Sequence, residues 1–267
     1  MESHSFTYGY ISKSEQGVFC FPKDETGIGH SLLSSGTWGH EELLMLKKIV
    51  RHDDEILFLG AHIGTIAIPL SRTCKSIHAI EANPDIFKFL VANITLNDIT
   101  NITPHMIAAS DSAGTAKFLS VSGNTGGSKI YPLNPHQHYL DNIKSIYEIK
   151  KTAIDEFLPD IKPRIIFIDI EGSEYLALKG MTACLKTADV LFIEYIPYHL
   201  EYVAGVSPED FSSVIEKYFN FLYIPGFDIF VEKSNFKLVL RQLYDNKHSE
   251  DQIVFSKDLH NISKLKK

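Results

Sequence analysis

Apolar residues fall into two kinds of run along this chain, and their alternation predicts an architecture. Ile56-Leu57-Phe58-Leu59 and Ile165-Ile166-Phe167-Ile168 are unbroken apolar stretches, ending at Gly60 and Asp169. They lack the polar alternation of a half-solvated strand and read as strands buried on both faces. Residues 76–80, 102–109 and 190–194 read as three more. Between them the apolar positions recur every three or four residues. Helices are expected over 63–72, 85–97 and 173–184. Pro84 opens the second, with Phe87, Leu90, Val91 and Ile94 as its apolar face. Strands separated by helices of ~10–15 residues form parallel βαβ units, so an α/β sheet with helices on both faces follows.

The ends and the middle read differently. Residues 1–54 form an N-terminal extension: an aromatic-rich opening (Phe6, Tyr8, Tyr10, Phe19, Phe21) that suits a hairpin, then a helix over 37–50. Thr37 is its expected cap, with Glu41 and Glu42 in the first turns. Residues 55–267 form the main domain. Within it, residues 121–139 are rich in Gly, Ser, Asn, Pro and His and read as a long loop, either a surface insertion or a lid. After Ser207 a helix is expected to about residue 219, then strands at 221–224 and 238–240, and a solvated basic end at 264–267.

Composition narrows the function classes. The chain has 267 residues, 26 Lys and Arg against 33 Asp and Glu, and a net charge of −7. That balance opposes a general grip on nucleic acid, which needs basic surface. The longest uncharged apolar stretch, residues 56–71, is shorter than the ~20 residues of a membrane span. No basic region followed by an apolar run opens the chain, so no signal peptide is visible and a cytoplasmic location is expected. Cys20, Cys74 and Cys184 are odd in number and scattered, which suits reduced thiols.

Candidate chemistry sits at two strand ends. Gly60-Ala61-His62-Ile63-Gly64 is a glycine-rich turn between a strand and a helix, and Glu81 ends the next strand, where a carboxylate can accept both hydroxyls of a ribose. The turn lacks the Gly-x-Gly-x-x-Gly spacing that seats a pyrophosphate, yet these residues alone leave NAD and S-adenosylmethionine both open. At the fourth strand end, Asp169, Glu171 and Glu174 fall within six residues, with Asp169 and Glu171 on one face. Their mutual repulsion calls for a cation: a sulfonium cofactor, a metal ion or a protonated substrate group.

Residues 55–194 resemble the FkbM family of S-adenosylmethionine-dependent methyltransferases. The resemblance is carried by Gly60-Ala61-His62-Ile63-Gly64, Ala79-Ile80-Glu81-Ala82-Asn83-Pro84 and Ala108-Ala109-Ser110-Asp111, and by Thr152-Ala153-Ile154-Asp155 and Ile168-Asp169-Ile170-Glu171-Gly172-Ser173-Glu174. It implies a Rossmann-like class I methyltransferase fold with a seven-stranded, mostly parallel sheet. It also implies O-methylation of a hydroxyl on a sugar or natural-product small molecule. Carried over, Gly60, Ala61, His62 and Gly64 would face the methionine part of S-adenosylmethionine. Glu81 and Ala82 would meet the ribose, Ala109 and Ser110 would border the adenine, and Asp169 would lie beside the methyl group as general base. His62, His136, His138 and His199 are weaker candidates for that base. Trp38, Tyr131, Tyr195 and Tyr198 are candidates for stacking on the acceptor. Mg²⁺ held by Asp169, Glu171 and Glu194 is considered and not favoured. Two residues depart from the family: Phe58 replaces an acid that usually anchors the cofactor's amino end, and His62 replaces a common Asn. The competing readings are an NAD-dependent Rossmann oxidoreductase and a non-catalytic binding domain of the same fold. The expected partner is a small-molecule acceptor, with neither nucleic acid nor membrane, and a homo-oligomer is left open.

Overall fold

The computed structural model describes residues 8–137, 140 and 142–266. The first elements among the described residues are strands β1 (Gly9–Lys13) and β2 (Val18–Pro22), then α1 (Ile28–Ser34) and α2 (His40–Ile49). The first βαβ units follow: β3 (Glu55–Leu59), α3 (Ala67–Ser71), β4 (Ser76–Ile80), α4 (Pro84–Leu96) and β5 (Ile102–His105). A run of strands interrupts the pattern: β6 (Ala108–Ala109), β7 (Gly114–Val121), β8 (Lys129–Ile130) and β9 (Ile143–Thr152). It resumes with α5 (Ile154–Phe157), β10 (Ile165–Ile168), α6 (Glu174–Lys179), α7 (Thr182–Thr187), β11 (Val190–Tyr195) and α8 (Pro208–Ile215). The end is β12 (Phe221–Ile224), β13 (Ile229–Glu232), α9 (Phe236–Asp245), β14 (Glu250–Ser256) and α10 (Leu259–Leu265).

The main sheet has the order β13-β12-β14-β11-β10-β3-β4-β5. Strands β3, β4, β5, β10 and β11 run parallel, and β14 lies antiparallel between β11 and β12. This is the expected Rossmann-like class I fold, with β13 added at one edge as an eighth strand. The chain runs from β3 outward to β5, then returns to place β10 on the other side of β3. Strand order therefore reverses between β3 and β10, the crevice where open α/β sheets bind ligands. Burial explains the apolar runs: Ile56, Phe58, Ile165 and Phe167 join the core on one face, and Leu57, Leu59, Ile166 and Ile168 the core on the other.

The front segment belongs to the first of these cores through Phe19, Phe21, Leu32, Leu43 and Leu46. Its hairpin is fastened to α4 by side-chain amides that mimic a strand partner. Asn93 Nδ2 donates to the Cys20 carbonyl at 2.9 Å and to the Ile63 carbonyl at 2.9 Å, and Asn93 Oδ1 accepts from Cys20 N. Asn97 repeats the motif on Val18. Asn93→Ala is expected to lower stability by ~1–3 kcal/mol, since it strands buried backbone groups of β2; chemical denaturation measures it.

Several sequence expectations are corrected. Residues 102–109 are not one strand: β5 belongs to the main sheet and β6 to a second sheet of order β6-β9-β7-β8. The 121–139 segment is largely built rather than loose, since residues 125–127 form a 3-10 turn and β8 pairs with β7. His138 and Tyr139 lie outside the described residues, as does Phe6. Residues 238–240 are helical, within α9, and the strand β14 supplies the missing sheet position. The helix over 173–184 breaks at Gly180, where a Cβ would fall 1.9 Å from the Ser110 carbonyl oxygen. Thr37 caps nothing, because α2 starts after Gly39. The helix over 63–72 shortens to α3, and residues 63–66 stay in the turn. At the basic end Lys264 and Lys266 are exposed as expected, and only Leu265, the last residue of α10, is buried. No helix among the described residues is long and apolar enough to cross a membrane.

Candidate functional site

The turn after β3 is shaped by one close approach. Gly60 has φ +82°, and a Cβ there would fall 1.6 Å from the Asp169 carbonyl oxygen. Only glycine lets the ends of β3 and β10 press together in this way. The N–H groups of Gly60 and Ala61 both donate to the Ile80 carbonyl, at 3.0 and 2.9 Å, folding the turn over the end of β4. Gly64, expected in the site, packs instead against Ile68 and Leu90.

A cleft with about 1020 Å³ of empty space, its open mouth included, lies at this switch point. Phe58 and Phe167, paired across β3 and β10 and stacked at 4.4 Å, form part of its wall. Of the candidates, Gly60, Ala61, His62, Glu81, Ala82, Ala109 and Asp169 line it. Ser110 does not: it is fully buried behind the cleft, with its carbonyl against Gly180. Trp38 reaches the cleft from the front segment, its backbone held at both N–H and carbonyl by the buried Gln16 amide.

Glu81 is buried at the end of β4, and its two oxygens divide their work. Oε2 accepts from His62 N at 2.9 Å and Oε1 from Asn83 N at 2.7 Å. Each oxygen keeps lone-pair capacity toward the cleft. Burial pushes its pKa up to about 7 against the opposing pull of these N–H donors. The ring of His62 is held by residues that sequence reading missed. Thr125 Oγ1 gives its hydrogen to Glu25 Oε2, so it can only accept from His62 Nε2, 2.9 Å away. The hydrogen of His62 is thereby fixed on Nε2, leaving Nδ1 as a bare buried acceptor. Burial also pushes the ring's pKa down to about 4. His62 is a neutral wall of the site and a poor proton acceptor at physiological pH.

The acids after β10 separate into distinct duties. Glu174 Oε1 accepts from Ile170 N at 3.0 Å and so fixes the turn that carries the other two. Asp169 faces the cleft, and its carboxylate has no hydrogen-bond partner among the described residues. Burial, then the charges of Glu194 and Glu171, hold its pKa well above the usual carboxylate range. Burial and the neighbouring negative charges thus make this carboxylate a stronger proton acceptor than an exposed one. Glu171 turns to a different neighbour: Lys129 Nζ, on β8, stands 3.0 Å from Glu171 Oε2. His199 lies beside both and places Nδ1 3.1 Å from the buried Glu194 Oε2.

The compensating cation was expected from a ligand, and the chain itself supplies one. Its signal was present: Lys129 is the only charged residue between 121 and 139. The remaining candidates sit elsewhere. Tyr195 is a core residue donating to the Leu240 carbonyl, and Tyr198 stacks on Tyr202 at the surface. Tyr131 is partly exposed outside the cleft, and His136 lies against Tyr202.

The chain is similar to known proteins. The model of the methyltransferase FkbM domain matches residues 59–225. The chain is 28% identical over 180 residues to the hexuronic acid methyltransferase AglP of Haloferax volcanii, covering 67% of this chain and 69% of that one. Among solved structures, methyltransferase FkbM from Methylobacillus flagellatus KT aligns with TM-score 0.46 and 17% identity, over 82% of this chain. The chain spans about half of that protein, 48%. TYW2 of M. jannaschii in complex with AdoMet aligns with TM-score 0.43 and 15% identity, over 82% and 76% of the two chains. With the FkbM domain covering well over half of its length, from the end of β3 through β12, the chain belongs to the FkbM family of methyltransferases.

Proposed function

We propose that the protein transfers a methyl group from S-adenosylmethionine to a hydroxyl of a sugar, with a uronic-acid-containing glycan as the first acceptor to test. The observation that carries this is the placement of Glu81 and Asp169 in one cleft at the switch point of the sheet. The residues fit that cofactor. Glu81 has acceptor capacity for two ribose hydroxyls, and acids of the wall favour a positive sulfonium. Ala109 gives an apolar border for a purine. The departure at Phe58 replaces a polar anchor by part of a stacked apolar wall, so less of the binding falls on the cofactor's amino end. The relative AglP acts on a hexuronic acid, and the net charge of −7 suits a small acceptor better than a nucleic acid.

S-adenosylmethionine held there would supply an electrophilic methyl group for in-line transfer to the acceptor oxygen. The protein's task is largely alignment, which in well-placed reactants lowers a barrier by ~7–11 kcal/mol. Glu81 would hold the ribose and fix one end of that line. Asp169 would accept the hydroxyl proton as the new C–O bond forms. Glu174 would keep Asp169 in place through the Ile170 N–H.

Incubation with S-adenosylmethionine and a panel of hexoses, uronic acids and their oligomers, read by mass spectrometry, tests the acceptor class. Methylation of a sugar hydroxyl is expected; cofactor binding with no methylated sugar across the panel rejects the acceptor class alone. Glu81→Gln should weaken cofactor binding by ~1.5–3 kcal/mol, the worth of hydrogen bonds to a charged group. In the wild type, protonation of Glu81 removes acceptor sites, so affinity should fall as pH drops through about 7. Calorimetry at several pH values should show this component missing from Glu81→Gln.

A further inference from the structure

Glu171 follows β10, Glu194 is the last residue but one of β11, and His199 opens the π-helical turn that follows. One ligand-capable atom from each lies within 4.8 Å of the others. Two carboxylates and an imidazole are a donor set for a divalent transition ion such as Mn²⁺. Lys129 enters the same space from the second sheet. Its Nζ is 3.0 Å from Glu171 Oε2 and 3.5 Å from His199 Nε2, and its side chain is 7% exposed. A divalent ion bonded to these atoms at ~2.0–2.3 Å would lie against the ammonium, and two cations so close in a poorly solvated place exclude each other.

We propose that Lys129 is the built-in cation of this site, taking the place that a divalent ion would otherwise hold among Glu171, Glu194 and His199. It is a positioning residue. Its ammonium pairs Glu171, while His199 links to Glu194, so the acids flanking Asp169 are held by the chain without a metal. The same contact fastens the roof. Ser128 and Ile130, on either side of Lys129, line the cleft, so the lysine ties that wall to the carboxyl end of the parallel sheet. A free ion could satisfy the acids, but it is not tethered to β8 and could not tie roof to floor as the ion pair of the Lys129 side chain does. The metal part of the inference stands on geometry alone; its effect on turnover rests on the methyl-transfer reading above.

The test compares the full-length wild type with Lys129→Met and Lys129→Arg. Mn²⁺ binding is measured by calorimetry and electron paramagnetic resonance, and turnover with and without a chelator. The wild type should ignore Mn²⁺ up to ~1 mM, and Lys129→Met should bind it at least ~100-fold more tightly once the buried positive charge is gone. Wild-type turnover should be indifferent to chelator. Lys129→Met should lose ~10–100-fold in turnover with little change in S-adenosylmethionine affinity, and recover in part on adding Mn²⁺. Lys129→Arg, keeping the charge, should keep most of the activity and still refuse Mn²⁺. A wild type that binds Mn²⁺ as tightly as Lys129→Met, or that chelator inactivates, overturns the proposal. So does a Lys129→Met protein with full turnover. Should Lys129→Met not fold, the wild-type and Lys129→Arg arms still decide. Absence of turnover in all three proteins would count against methyl transfer, and the Mn²⁺ titrations would then decide the proposal by themselves.

Discussion

Asp169→Asn is expected to lower turnover by ~10²–10⁴-fold, the range supplied by a positioned general base, while S-adenosylmethionine affinity shifts far less. The amide keeps the size of the carboxylate and the backbone contact of Asp169 N with Leu59 O at 3.0 Å, so the turn after β10 should persist. What disappears is the proton acceptor. Asp169 is the cleft-facing acid of this turn with no hydrogen-bond partner among the described residues, whereas Glu174 is committed to Ile170 N and Glu171 to Lys129. Single-turnover kinetics beside calorimetry separate the two effects. Unchanged chemistry in Asp169→Asn would remove it from the proton-transfer role. An equal loss of cofactor affinity would instead make it a binding group for the positive donor.

Gly60→Ala should produce the largest structural effect of a single methyl group. The new Cβ would sit 1.6 Å from the Asp169 carbonyl oxygen, a backbone atom that cannot rotate aside, at φ +82°. Left-handed strain alone costs ~1–3 kcal/mol, and relieving the overlap must part β3 from β10 where they meet. A loss above ~3 kcal/mol is expected, in the range reserved for strained or overpacked core sites. Chemical denaturation measures it, with cofactor binding followed on whatever remains folded. Gly127→Ala is the matched control, because the nearest atom to its Cβ would be a Val121 methyl at 3.9 Å. Near-wild-type stability of Gly60→Ala would mean that the two strand ends can separate freely, and would remove the rigid crevice on which the site depends.

Much of the frame was legible because it depends on short-range pattern. Ile56 to Leu59 and Ile165 to Ile168 announce buried strands by composition, and both are central. Pro84 and Asn83 start α4 where the local code puts them, with the Asn83 side chain accepting from Asp85 N. The second sheet was not legible. Strand β9 alternates half-buried and exposed positions and turns Ile146 outward, so its apolar residues do not mark a buried face. Strand β14 was unread for another reason. Its place between β11 and β12 rests on pairings such as Val190 with Ser256 and Phe221 with Ser256, far apart along the chain, and no local period reports them.

The site divides along the same line. Residue order alone set out Gly60, Glu81 and Asp169, because an α/β sheet of this connectivity must bring the ends of β3, β4 and β10 to one edge. It could not say which of these groups would be tied to partners within the chain. That was decided when folding carried Lys129 to Glu171, the Ile170 N–H to Glu174, and Thr125 with Glu25 to His62. Each of these partners, apart from Ile170, lies far along the chain from the group it fixes. Hydrogen bonds and charge pairs act over a few ångströms of space and carry no trace in sequence spacing. The chain by itself therefore determined the cleft and its candidate residues. Only the tertiary structure decided that, of the three acids after β10, Asp169 is the one whose carboxylate has no hydrogen-bond partner among the described residues.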